Sequence, residues 1–206
     1  MDNLMDIPEL DYLMLMESLR DYQHPRDRVT RMLRSGTMIR VKKGIYVRND
    51  RRDPYAREVL ANLLYGPSYV SLEYALQYHG LIPEAVSTIT CVTTRKNKVF
   101  PTPVGNFEFR HLREAFYSVG FEWHPVDSRR GFLIASPEKA LWDTLYMRVP
   151  HLEADRVEEH LFQNMRCDEA AFHELDFRKL EPLFQACSRT AIRGLRKAAI
   201  GRPDRG

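Results

Sequence analysis

The stretch PRDRVTRMLRSGTMIRVKKGIYV, residues 25–47, changes its period half-way along. As far as Ser35 it reads as a helix. At about 100° per residue, Val29, Met32 and Leu33 gather on one side, while Asp27, Arg31 and Arg34 fall on the other with Thr30 and Ser35 flanking. Pro25 suits a first helical turn, and Gly36 suits the residue that ends a helix. Beyond Gly36 the period is two. Ile39 and Val41 alternate with Arg40 and Lys42, a turn follows at Lys43-Gly44, and Ile45 and Val47 flank Tyr46. That pattern predicts a hairpin with one apolar and one basic face.

Working outward, residues 8–21 read as a helix, with Leu10, Leu13, Met14, Met16 and Leu19 at helical spacing. RNDRRD (48–53) reads as a polar linker, and Asp53-Pro54 as the cap and first turn of a helix with Ala56, Val59, Leu60, Leu63 and Leu64 on its buried stripe. A helix over about 71–79 follows. STITCVTT, NKVF and NFEFRHL read as strands, the last two joined by the turn Thr102-Pro103-Val104-Gly105. Phe121–Val126 and Gly131–Ala135 are two more strands, Ser136-Pro137 opens a helix, and about 153–164, 176–187 and 189–200 are helical. The expected fold class is α+β: an N-terminal winged helix-turn-helix domain over 1–50, then a larger α+β domain over 53–206 with a small, mainly antiparallel sheet and C-terminal helices.

Charge is divided unevenly among these segments. The 206 residues carry a net charge of only +3, yet residues 20–52 hold eleven Arg or Lys against three acids. Residues 189–206 hold six bases against one acid, and the remainder sums to −10. Two basic zones on an acidic body predict a polyanionic partner, although a solvated charged surface has the same composition. No apolar run is long enough to span a membrane. The acidic start MDNLMDIPELD lacks the pattern of a secretory signal. Three widely spaced cysteines, Cys91, Cys167 and Cys187, read as reduced, buried small residues, so a cytoplasmic location is expected.

A cationic helix beside a basic hairpin suits duplex DNA. A helix fits the major groove, where arginine pairs bidentately with guanine O6 and N7, and a neighbouring hairpin reaches phosphates or the minor groove. The expected DNA-binding set is Arg26, Arg28, Thr30, Arg31, Arg34, Ser35, Arg40, Lys42 and Lys43. Arg31 and Arg34 are expected at base edges, Thr30 as a weaker reader, Arg26 and Arg28 on phosphate at the helix start, and Arg40, Lys42 and Lys43 on the hairpin. Asp27 either pairs with Arg31 one turn on or accepts from cytosine N4. The seven histidines show no metal-ligand spacing and no nucleotide-binding glycine motif occurs, so no cofactor or metal is expected. Glu108 with Arg110 and Glu138 with Lys139 have the wrong spacing for a nuclease. The tyrosines at 46, 65, 69, 74 and 78 read as packing between domains. The stripe Arg189, Arg193, Arg196, Lys197 fits a second stretch of DNA, an acidic partner or a solvated face.

RMLRSGTMIRVKKGIYVR (31–48), YVSLEYALQYHGLIPE (69–84), TPVGNFEFRHL (102–112) and ASPEKALWDTLY (135–146) together resemble the AbiEi family of antitoxins from type IV toxin–antitoxin, or abortive phage infection, systems. The resemblance spans about residues 10–150. It implies a winged-helix domain that represses its own operon at inverted repeats in double-stranded operator DNA. It also implies a larger domain that counteracts a co-encoded nucleotidyltransferase-like toxin without requiring a stable complex. On this reading the chain is not an enzyme. The alternatives are a stand-alone winged-helix transcriptional regulator and a nucleic-acid-processing enzyme.

Overall fold

The computed structural model describes residues 7–200. Residues 1–6, where the expected unit 1–50 begins, and 201–206, which close the expected unit 53–206 and carry Arg202 and Arg205 of the basic end, lie outside the described residues. The first element is a strand where a helix was expected. β1 (Glu9–Asp11) precedes α1 (Tyr12–Ser18), α2 (Pro25–Arg34), β2 (Met38–Lys42) and β3 (Ile45–Arg48). Asp11 sets the boundary: its carboxylate accepts from the Met14 amide at 2.8 Å and caps α1. Leu10, one residue earlier, lies opposite Tyr46 of β3. Leu13, expected at the helical spacing, is 77% exposed; Leu15 is buried in its stead, and Leu19 is buried as its spacing predicts.

β3 is the centre of an antiparallel sheet of order β1-β3-β2. One face of this sheet covers α1 and α2 through a small core of Leu10, Leu15, Leu19, Val29, Met38 and Tyr46. On the opposite face Val41, Ile45 and Val47 enter the large core formed with the rest of the chain. Gly36 (φ +71°) ends α2 and Gly44 (φ +88°) turns the hairpin, both in the left-handed region that penalises a side chain.

The larger part holds a six-stranded sheet of order β6-β7-β5-β4-β9-β8. Its strands are β4 (Ser68–Val70), β5 (Ile89–Thr93), β6 (Lys98–Thr102), β7 (Gly105–His111), β8 (Phe121–Pro125) and β9 (Gly131–Ala135). Three strand pairs are antiparallel, while β5–β7 and β4–β9 are parallel. The mixed α+β class is as expected, with β4 the strand that sequence periodicity missed. Against this sheet pack α3 (Arg57–Leu64), α4 (Leu72–Tyr78) and α6 (Pro137–Arg148). Ser136 caps α6 through the Lys139 amide, as Ser136-Pro137 predicts. Between them lies the short α5 (Glu114–Tyr117). The C-terminal third winds through a 3-10 turn (Ala154–Arg156), α7 (Val157–Glu159), a π turn (His160–Asn164) and α8 (Glu169–His173). A second 3-10 turn (Phe177–Leu180), α9 (Glu181–Ala186) and α10 (Thr190–Ile200) complete it. Among the described residues no helix is long and apolar enough to cross a membrane.

Asp53 does not cap the helix it was expected to open. α3 starts at Arg57, and the Asp53 carboxylate accepts from Arg48 at 2.7 Å and from Arg130 at 3.2 Å. Arg130 also grips both oxygens of the buried Glu9 carboxylate, at 2.8 and 3.0 Å, and Glu9 accepts from the Ala56 amide. The polar segment 48–53 is thus cross-tied to β1 and to the β8–β9 turn. The tyrosines do not form one layer between domains either. Tyr46 belongs to the small core, Tyr69 is fully buried in the large one, and Tyr78 bonds His124 at 2.8 Å. All three cysteines are buried, and burial pushes the Cys167 thiol up to about 11.

Candidate nucleic-acid interface

α2 buries Val29, with Met32 and Leu33 at the margin of the small core, so its periodicity fixes which side faces out. On that outer side Arg26, Arg28, Thr30, Arg31, Arg34 and Ser35 are all exposed. Among the described residues Arg26, Arg31 and Arg34 have no ion-pair partner, and Arg28 lies over the Tyr22 ring at 5.4 Å. The expected Asp27–Arg31 pair is absent among the described residues, so the Arg31 guanidinium is not held by Asp27, which is itself exposed on the same face. Thr30 donates to the Arg26 carbonyl at 3.0 Å and Ser35 to the Met32 carbonyl at 3.1 Å, which leaves both hydroxyls able to accept but turned towards the backbone. His24 at the helix start makes no side-chain cap, so the first amides of α2 are unclaimed by a side chain.

The hairpin divides its cations between its two faces. Arg40 is exposed opposite Tyr46, on the side of α2, and Lys43 is exposed at the turn. Lys42 corrects the expectation. The pairing register shifts between Arg40 and Lys42, and this irregularity sets Lys42 opposite Ile45. A bulge of this kind reverses the alternation of faces. The Lys42 ammonium therefore turns towards the larger part of the chain, donates to the Leu64 carbonyl and lies 4.8 Å over the Phe100 ring. Burial, then the charges of Arg95 and Lys98, hold it below the ordinary lysine value. Eight of the nine expected DNA-binding residues are thus exposed, and Lys42, half-buried against the larger part of the chain, is the exception.

The other charged features are taken up inside the molecule. Burial tends to raise the Glu108 carboxyl, but Arg110 and Arg148 outweigh it and hold it below the usual carboxylate range. Glu138 accepts from the Asp176 amide at 3.0 Å. Lys139 and Asp143, one turn apart on α6, form a fully buried ion pair. Asp143 also accepts from Ser71 at 2.8 Å and Tyr69 at 3.0 Å. On α10 the basic stripe is not uniform. Arg189 lies 3.6 Å over the Tyr146 ring and Arg196 pairs with Glu181 at 2.5 Å, while Arg193 and Lys197 are exposed.

One cationic segment escaped the sequence reading: Arg95, Lys96 and Lys98, in and beside the loop joining β5 to β6, close to Lys42. Residues 85–113 hold five bases and the single acid Glu108, a bias hidden within an acidic body. No protein-family model and no curated protein matches the chain.

Proposed function

We propose that the chain is a DNA-binding antitoxin of the AbiEi kind, which represses its own operon through a winged helix-turn-helix and counteracts a co-encoded nucleotidyltransferase-like toxin. The observation that carries the DNA-binding part is the outer face of α2, with four exposed arginines and no acid paired to Arg26, Arg31 or Arg34 among the described residues. Unneutralised guanidiniums on a helix stabilised from behind suit a major groove. The order strand, helix, helix, hairpin, with Arg40 and Lys43 on the hairpin, supports the winged-helix reading. The antitoxin part rests on the resemblance of four segments. Two of them, YVSLEYALQYHGLIPE and ASPEKALWDTLY, supply Tyr69, Ser71, Lys139 and Asp143, which meet in the buried network. These motifs therefore support a shared fold more than a shared surface chemistry.

Binding to the DNA upstream of the chain's own reading frame is expected to weaken steeply with salt. With about four to seven phosphates neutralised, the log–log slope is expected near −4 to −6. A flat response, measured by fluorescence anisotropy, rejects DNA binding.

Arg31→Ala and Arg34→Ala are each expected to cost about 1–3 kcal/mol on the operator and to narrow its margin over random DNA. Supplied together from an unrelated promoter, the two changes are expected to abolish operator footprinting yet leave cells protected from the toxin. Loss of protection by a soluble, folded double variant rejects the separation of repression from antitoxicity.

A further inference from the structure

The loop between β5 and β6 presents its cations in a braced frame. The Arg95 amide donates to the Thr93 hydroxyl at 3.1 Å, and that hydroxyl donates to the Pro67 carbonyl at 2.7 Å. At the far end the Asn97 side chain accepts from the His111 amide at 2.7 Å. His111 Nδ1 lies 3.2 and 3.1 Å from the carbonyls of Thr94 and Arg95, which only accept, so this nitrogen is the donor. Arg95 lies 4.6 Å over the Tyr65 ring, whose centroid is 5.8 Å from that of Phe100. Lys98 and the hairpin's Lys42 share the Phe100 ring, at 5.8 and 4.8 Å. Three cations are thus fixed on two aromatic side chains, one of them supplied by the hairpin.

Among the described residues no acid pairs with them. Along β6 and β7, Lys98 and Phe100 alternate with Val99, and Val99 is the residue opposite Glu108. Glu108 therefore lies on the other face of the sheet, with Arg110 and Arg148. Arg95, Lys96, Asn97 and Lys98 are exposed, beside an open cavity of about 620 Å³ lined by Tyr65, Thr94, Arg95, Lys96, Asn97 and His111. Holding like charges together costs free energy that a polyanion relieves, and a pre-ordered loop loses little freedom when it binds one.

We infer that Arg95, Lys96 and Lys98 form a second DNA-backbone contact, gripping phosphates of the same duplex beyond the hairpin. This rests on the DNA-binding reading above and extends it from α2 and the hairpin to the larger part of the chain. The contact is with phosphate, not base edges, because the Arg95 guanidinium is held over the Tyr65 ring and the two lysines beside it present point charges at the rim of an open cavity.

The test uses the full chain, a labelled duplex carrying the upstream DNA, and a random duplex of equal length. Arg95→Ala/Lys96→Ala/Lys98→Ala is expected to weaken both duplexes alike and to make the salt slope shallower by about 2–3. Hydroxyl-radical protection is expected to disappear from one backbone tract next to the hairpin while the tract under α2 stays protected. Lys96→Gln/Lys98→Gln, which leaves Arg95 on Tyr65, is expected to produce about two-thirds of that slope change and covers the case in which the triple variant does not fold. An unchanged slope and footprint, with the wild type still binding, overturns the second contact alone. A selective loss on the upstream duplex also overturns it, since that marks base reading. Failure of the wild type to bind either duplex removes the second contact together with the reading it rests on.

Discussion

Asp143→Ala is expected to lower the unfolding free energy by about 3–5 kcal/mol, because it strands the Lys139 ammonium inside the protein. The side chains of Lys139 and Asp143 are fully buried, and the ammonium also lies over the Trp142 ring at 4.7 Å. The Tyr69 and Ser71 hydroxyls lose their shared acceptor at the same time. Burial already pushes the Lys139 amine below its ordinary value and the Asp143 carboxyl above its own, each against the pull of its partner. Without Asp143 the amine's depression deepens. Between that depressed value and the ordinary lysine value the unfolded chain binds a proton that the folded one lacks. Stability of the variant must then rise with pH across that window. Urea titrations at pH 7 and pH 9.5 are expected to show the deficit relative to wild type shrinking at the higher pH. A deficit that stays constant rejects the stranded amine as its cause. Lys139→Met/Asp143→Leu is expected to recover much of the loss, since an apolar pair needs no compensation.

Arg130→Ala is the second large effect, with an expected cost of about 3–4 kcal/mol. The Glu9 side chain is fully buried and Arg130 is its only cationic partner among the described residues. The same guanidinium holds Asp53 and Asp127, whose carboxyl it keeps below the usual range. Losing it releases β1 and the 48–53 segment together. Limited proteolysis is expected to cut within 48–53 in the variant and to spare the wild type, and on the proposed function operator affinity is expected to fall with it. Glu9→Gln/Arg130→Met is expected to restore protection from the protease, because it removes the stranded charge. A variant as stable and as resistant as wild type shows that the apolar back of the sheet alone holds β1 in place.

Local rules explain why some elements were legible from sequence. α2, the hairpin and α6 each carry their own stop or start signal in Gly36, Gly44 and Ser136-Pro137, and their apolar residues keep one period throughout. β1 was hidden because Leu10 extends the leucine spacing of α1, so one polar cap at Asp11 separates two states that share a hydrophobic pattern. β4 is three residues long and fully buried, too short for alternation to register. Lys42 was misplaced because alternation assumes an unbroken register, and the irregularity after Arg40 comes from pairing rather than from composition. Lys139 and Asp143 have the i,i+4 spacing of an exposed helical pair. What buries them is Tyr69 and Ser71, about 70 positions earlier in the chain. Exposure of the cations was legible wherever one element alone decides which way a side chain faces, and the exposed cluster at Arg95–Lys98 was not, because neighbours distant in sequence supply its context.

The N-terminal sheet has two occupied faces, and this bears on how such a chain can diversify. A DNA-reading unit attached by a free linker can be exchanged between proteins like a cassette. Here the N-terminal sheet has no blank side: Val41, Ile45 and Val47 complete the large core, and Glu9 is claimed by Arg130. A chimaera that imports residues 7–50 from another chain must import a matching apolar underside and an acid at the position of Glu9, or repack its recipient. On the proposed function, new sequence preference is therefore expected to arise by changes on the outer face of α2, leaving the sheet beneath it untouched.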